Sequence, residues 1–166
     1  MLRFLTFSLS LLSLSTGAQN PSKTPSKKHF WHSMETTATP AAVWKVWTQV
    51  DNWHTWDTGL RSATLKSDSF GLGTRGVITS LEGRKSKFKV VDYQEGQSYT
   101  FKTALPLGGL YVKRSWKEEN GKTVYTHEVW FSGLTGGLFA KLLGNDFREM
   151  LPGVLEKVKE QAEAMP

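Results

Sequence analysis

Residues 110–132 read LYVKRSWKEENGKTVYTHEVWFS, two runs of alternating side chains around Asn120-Gly121. Asn-Gly between such runs is the strongest short signal for a two-residue type I′ hairpin turn, because both central positions need positive φ. In that register Arg114 faces His127, Trp116 faces Tyr125, Val112 faces Val129 and Leu110 faces Phe131. Directly opposed residues share a side of the sheet, so these four pairs lie on one face. Lys113 with Glu128 and Tyr111 with Trp130 lie on the other. The first face is largely apolar, and the fold follows from asking what covers it.

The period of two extends back to Arg61, with turn signals at Gly71-Leu72-Gly73, Glu82-Gly83 and Glu95-Gly96. That makes an antiparallel meander of about six strands. A two-residue turn at Glu82-Gly83 would put Val77 and Phe88 inside and turn Ile78 and Lys87 outward. Lys85, Lys87 and Lys89 then form a solvated stripe, with Ser86, Phe88 and Val90 inward. Tyr99, Phe101 and Thr103 continue the inner set.

Upstream, His29–Thr37 has strand-like composition and ends at Thr39-Pro40, a helix N-cap followed by proline at the first helical position. Val43, Trp44 and Trp47 fall at helical spacing, so 40–49 reads as a short amphipathic helix. Asp51 is positioned to cap a second short helix holding Trp53 and Trp56, stopped near Gly59. Downstream, a helix is expected from about Phe139 to Ala164, interrupted at Gly144 and Pro152. Its stripe of Phe147, Leu151, Val154, Leu155 and Val158 needs an apolar surface, and the inner sheet face is the large one available. The fold class is therefore α+β: a curved antiparallel sheet wrapped around a long C-terminal helix, with two short helices after the first strand.

The chain has 166 residues, 21 Lys+Arg against 15 Asp+Glu and no cysteine. That length suits one domain. Without cysteine there is no disulfide scaffold, thiolate metal site or cysteine nucleophile. Residues 1–18 have the layout of a secretory signal peptide: Arg3, an apolar run from Phe4 to Leu14, and small residues at Thr16-Gly17-Ala18. The run is shorter than the ~20 apolar residues a membrane span needs. Residues 19–28, rich in Ser, Pro and Lys, read as a flexible leader, and 29–166 as the domain. A periplasmic or secreted location follows, with no stable membrane insertion after cleavage. The basic excess is scattered rather than gathered into a stripe with interleaved aromatics, which speaks against nucleic acid.

The order β-α-α-β-β-β-β-β-β-α resembles the helix-grip fold of the SRPBCC superfamily, which includes START-like and polyketide cyclase/dehydrase-like proteins. The resemblance covers about 30–164. It is carried by Ala41-Ala42-Val43-Trp44 with Val50-Asp51-Asn52-Trp53-His54-Thr55-Trp56-Asp57, by Phe70-Gly71-Leu72-Gly73-Thr74-Arg75, and by Thr126-His127-Glu128 through Ser132-Gly133. Leu151-Pro152 and Ala162-Glu163 complete it. The resemblance implies a hydrophobic cavity between sheet and C-terminal helix, in a family of which only some members are enzymes. Residues facing that cavity, and so the expected ligand-binding set, are Phe88, Tyr99, Phe101, Val112, Arg114, Trp116, Tyr125, His127, Val129 and Leu151.

Arg114 opposite His127 is the most informative pair. One reading places both at a solvated sheet end or beside a helix carboxylate such as Glu149. By alternation few acids reach the inner face, Asp92 being the nearest. A buried guanidinium without a partner is costly, so a carboxylate or phenolate on an otherwise apolar ligand would neutralise it. If the protein is an enzyme, acid–base work by His127 with Tyr125 as donor and Arg114 beside them is the form expected.

Other motifs read more plainly. Gly71-Leu72-Gly73-Thr74-Arg75-Gly76 matches a dinucleotide fingerprint in spacing, but a strand follows where a helix is required. His29 and His32 fall on opposite faces of one strand and read as surface residues, and no metal site or cofactor is implied. Trp44, Trp47, Trp53 and Trp56 at helical spacing read as core. Leu105-Pro106-Leu107-Gly108-Gly109 and Leu134-Thr135-Gly136-Gly137-Leu138 should lie side by side at one end, as a mobile gate, a membrane-touching edge or packed turns. The sequence thus leads to an exported binder of a small, largely hydrophobic ligand. The alternatives are a cyclase or dehydratase-like enzyme, or an accessory protein docking on a partner, or on its own copy, through Tyr111 and Trp130.

Overall fold

Asn120 and Gly121 carry φ of 52° and 73°, the paired left-handed conformation of a type I′ turn. Strands β6 (Gly108–Glu119) and β7 (Lys122–Gly133) leave it with Arg114 opposite His127, Trp116 opposite Tyr125, Val112 opposite Val129 and Leu110 opposite Phe131. The structure, a computed structural model, describes residues 27–166. The expected signal peptide over 1–18 and most of the leader over 19–28 lie outside the described residues.

Among the described residues the sheet has seven antiparallel strands. Besides β6 and β7 they are β1 (His29–Thr36), β2 (Leu60–Leu65), β3 (Arg75–Ser80), β4 (Lys85–Gln94) and β5 (Ser98–Leu105). Their order is β1-β7-β6-β5-β4-β3-β2. The sheet curls around a C-terminal helix, α2 (Gly136–Glu163), which is the helix grip.

The β3–β4 turn differs from expectation by one residue. Ser80 N–H donates to the Arg84 carbonyl at 3.0 Å and Gly83 N–H to the Ser80 carbonyl at 2.9 Å. The loop is therefore three residues long, Leu81-Glu82-Gly83, with Gly83 at φ 84°. Val77 pairs with Lys87 and Ile78 with Ser86. A one-residue slip reverses every side chain, so Ile78 faces inward and Val77 outward. Lys85, Lys87 and Lys89 are exposed, and Phe88 and Val90 are buried. A second irregularity, a bulge between Val90 and Asp92, resets the alternation and leaves Asp92 exposed on the outer side. Asp92 is thus no partner for Arg114, and neither is the exposed Glu149.

Helix α1 (Pro40–Thr48) starts as its cap demands, the Thr39 hydroxyl accepting from Ala42 N–H at 3.2 Å. Val43, Val46 and Trp47 are its buried residues. A 3-10 turn, Val50–Thr55, follows; Asp51 sits inside its first turn and does not cap it. The tighter winding drops Trp53 onto the sheet, its indole 5.4 Å from the rings of both Phe88 and Phe101. The Trp53 indole N–H donates to the Trp47 carbonyl at 2.8 Å.

Helix α2 begins three residues earlier than expected and is continuous through both supposed interruptions. Gly144 is a point of close approach, since a Cβ there would lie 2.6 Å from Cζ of Phe30 on β1. Pro152 lies on the exposed side of the helix, where the carbonyl it deprives of a donor faces water. Leu151, Val154, Leu155 and Val158 cover the sheet. No helix among the described residues is long and apolar enough to cross a membrane.

Candidate functional site

Between the sheet and α2 lies a cavity of about 250 Å³ with mostly apolar walls. Phe101, Leu110 and Val112 come from β5 and β6, Ile78 from β3, and Leu143, Phe147 and Met150 from α2. Of its lining residues Asp146 is exposed and Ser80, Leu110 and Leu143 half-buried, which sets its mouth between the end of β3 and α2. Its inner end is polar: Arg114, His127 and Asp57 meet there.

Arg114 is 1% exposed. One terminal nitrogen donates to the Tyr99 hydroxyl at 2.5 Å, and the other lies 3.9 Å from an Asp57 carboxylate oxygen, an ion pair too long for a direct hydrogen bond. The guanidinium carbon sits 4.5 Å and 4.6 Å from the ring centroids of Trp53 and Trp56. Desolvated cation–π contacts of this kind contribute about 2 kcal/mol, which helps explain how the charge is tolerated here. Arg114 Nε has no hydrogen-bond partner among the described residues.

His127 is buried and its Nδ1 likewise lacks a partner. Burial, and then the Arg114 charge, hold its pKa well below the ordinary histidine value, so the ring is neutral. Asp57 follows the 3-10 turn, its carboxylate accepting from Gly59 N–H at 3.2 Å. Burial raises its pKa, with Arg114 and the Gly59 N–H opposing; its small residual exposure is the edge that faces the cavity. Tyr99, pushed up to about 12 chiefly by burial, stays a phenol and donates to the Trp47 carbonyl at 2.9 Å.

Of the residues expected to bind ligand, the structure brings Phe101, Val112, Arg114 and His127 to the cavity wall. Tyr99 supports Arg114 from behind. Phe88 is packed on Trp53, and Val129 and Leu151 are buried in the surrounding core. Tyr125 is not available as a donor, because its hydroxyl is committed to the Leu155 carbonyl at 2.8 Å. Trp116 is held away from the cavity by its indole N–H bond to the Gly96 carbonyl. His32, expected at the surface, is half-buried opposite His127 on the concave face.

Asp57, Gly59, Leu60, the inward Ile78 and Ser80, and Leu143, Asp146 and Met150 of α2 were missed. Asp57 carried one signal, a lone acid directly after Trp56 and just before the glycine that ends the helix pair. On the convex face Tyr111 and Trp130 stack at 5.2 Å and 9°, beside an open depression lined by His29, Lys113 and Glu128.

Solved structures share this architecture. The di-domain aromatase/cyclase StfQ of the steffimycin biosynthetic pathway superposes with a TM-score of 0.66 at 14% identity, over 81% of this chain and 50% of that one. The chain thus spans about half the length of that protein. Ara h 8.0201 matches with a TM-score of 0.64 at 14% identity, over 82% and 98% of the two chains. A hypothetical protein from Helicobacter pylori matches with a TM-score of 0.69 at 9% identity, over 97% and 99%. At such identities the likeness is one of fold. No curated protein matches the sequence. The family model described as polyketide cyclase / dehydrase and lipid transport, however, matches residues 28–163, nearly the whole of the described fold, and the chain belongs to that family.

Proposed function

We propose that this protein binds a small, predominantly apolar molecule in the cavity, with an oxygen at one end of the ligand seated against Arg114 and His127. The observation that carries this is the pair of buried, unpartnered nitrogens, Arg114 Nε and His127 Nδ1, at the closed end of an apolar cavity. Buried polar groups are nearly always hydrogen-bonded; of the four unmet buried side-chain atoms among the described residues, these two belong to residues that line the cavity, where a ligand oxygen would supply the partner, whereas Trp56 Nε1 and Thr103 Oγ1 do not. The volume is below the roughly 300–1,000 Å³ of drug-sized pockets, which favours a compact ligand.

Asp57 changes what that oxygen should be. With Asp57 ionised, it and Arg114 neutralise one another, and a carbonyl or phenol is the better fit. A carboxylate or phenolate binds when Asp57 takes up a proton, which its raised pKa favours. Native mass spectrometry of protein purified from its own host tests the reading. A bound small molecule, lost in Arg114→Met, is the expected result; protein that is always empty would overturn it.

A neutral His127 and a carboxyl of raised pKa on one apolar cavity also form an acid–base pair, with Asp57 replacing Tyr125 in the enzyme alternative. Turnover of the co-purified molecule, abolished in both His127→Gln and Asp57→Asn, would establish that second reading. Export to the periplasm or medium rests on the layout of residues 1–18. It is tested by the mass of the native chain, which should begin near Gln19.

A further inference from the structure

Five of the seven large apolar side chains exposed among the described residues gather at one end of the sheet; Leu72, in the β2–β3 connection, and Val91, at the β4 bulge, lie elsewhere. Leu107 is 74% and Leu134 88% exposed, with Leu81, Leu138 and Leu142 also largely in solvent. The antiparallel order brings the β3–β4 turn, the β5–β6 turn, the end of β7 and the start of α2 to one end of the sheet. All five leucines therefore project from the end at which the cavity opens. Singly exposed leucines are ordinary, but a group at one rim marks an interaction surface.

This rim is held in shape. Leu107 has φ 54°, a left-handed conformation unusual for a bulky residue. Leu134 N–H donates to the Leu107 carbonyl at 3.0 Å, and the Thr135 hydroxyl to the Pro106 carbonyl. The two loops expected side by side are thus tied to each other, presenting leucines outward instead of folding them over the cavity.

Basic residues flank the leucines. Lys27, Lys28, Lys141 and Arg148 line one depression beside the start of α2, with no acid in its lining. Across the mouth, Arg61 donates to the Leu81 carbonyl and Arg84 is exposed. Acids are present as well: Glu82, hydrogen-bonded to Ser80, Asp146 in the cavity lining, and Glu128, which lines the adjoining depression with Lys28 and is paired with His29. We propose that this leucine-tipped, basic rim is a docking surface for an anionic lipid bilayer. The leucines enter the headgroup–acyl boundary while the flanking lysines and arginines meet the lipid phosphates, as at interfacial amphipathic elements. A neighbouring protein groove would give the leucines an apolar home, but would not account for basic side chains on both sides of them. The proposal stands on the surface alone and does not depend on what the cavity holds.

The test is cosedimentation of the mature chain, beginning near Gln19 and stripped of bound small molecules, with two vesicle preparations. One is phosphatidylcholine alone; the other is phosphatidylcholine mixed with phosphatidylglycerol. Binding is expected to the mixed vesicles, falling with added salt and weak on phosphatidylcholine. Leu134→Ser with Leu138→Ser, both exposed, should weaken it by at least about tenfold, the scale of partly burying two leucines. Lys141→Glu should weaken binding to the mixed vesicles several-fold, since each basic residue near an anionic surface is worth about a factor of five. Failure to bind mixed vesicles, or binding indifferent to these substitutions, would overturn the proposal. So would a dimer in sedimentation velocity that the leucine substitutions dissolve, which would assign the rim to a second copy of the chain.

Discussion

The Arg114 guanidinium and the Asp57 carboxylate approach to 3.9 Å at the closed end of the cavity, close enough to share charge and too far to satisfy each other's hydrogen bonds. That gap makes the inner end receptive. A carboxyl raised by burial and a guanidinium whose Nε has no partner among the described residues are the groups that the proposed ligand oxygen would meet.

The pair makes the binding of anionic ligands pH-dependent. Using 2-naphthoate as probe and 2-naphthamide as its neutral counterpart, affinity for naphthoate should rise as pH falls toward the raised Asp57 pKa, while that for the amide stays level. Asp57→Asn should remove the dependence and bind naphthoate about tenfold more tightly at neutral pH, the effect of deleting one nearby like charge. Calorimetric titration across pH checks both.

His127 sets an acid limit on stability. Its pKa is depressed in the fold, so between the ordinary value of 6.5 and the folded value the unfolded chain binds more protons. Stability is therefore full above 6.5 and is lost as pH falls below it. His127→Gln should flatten the decline of the thermal midpoint under mild acid; an unchanged slope would show that another group is responsible.

Reading the sequence alone gives the β6–β7 face directly, because Asn120-Gly121 admits one register and that register places Arg114 and His127. It errs where the backbone counts differently. The three-residue turn at Leu81-Glu82-Gly83 sends Ile78 inward, and the bulge at Val90/Asp92 sends Asp92 outward. Asp57 is not legible by alternation at all, since it lies two residues past the end of the 3-10 turn, in loop backbone that has the period of neither a strand nor an α-helix. Tyr125 and Trp116 have the right face and the wrong role: each spends its polar atom on a nearby carbonyl, a choice that depends on tertiary distance.

On the convex face, Tyr111 and Trp130 cover one another, with Lys102 5.4 Å from the Tyr111 ring. Trp130→Ser should cost about 0.5–1.5 kcal/mol beyond lost area and leave the sedimentation coefficient unchanged. A shifted coefficient, or a partner lost with the ring, would support the docking role considered for this pair.

Gly144→Ala places a methyl group against Phe30. Overpacking of this kind costs about 1–3 kcal/mol, against a helix-propensity gain of about 1 kcal/mol. Net destabilisation in chemical denaturation is expected, relieved by Phe30→Leu.

The central claim is that an oxygen of the ligand meets Arg114 and His127 at the inner end of the cavity. Nitrogen-resolved NMR of the two side chains during titration with 2-naphthamide, whose carbonyl oxygen suits the site whether or not Asp57 is ionised, reads this directly. The account predicts that the Arg114 Nε–H resonance moves downfield, as a hydrogen bond forms where none existed, and that the His127 ring nitrogens shift with the same saturation curve. Resonances of Arg114 and His127 that stay fixed while residues elsewhere respond, or show no saturable change at any ligand concentration, would contradict it.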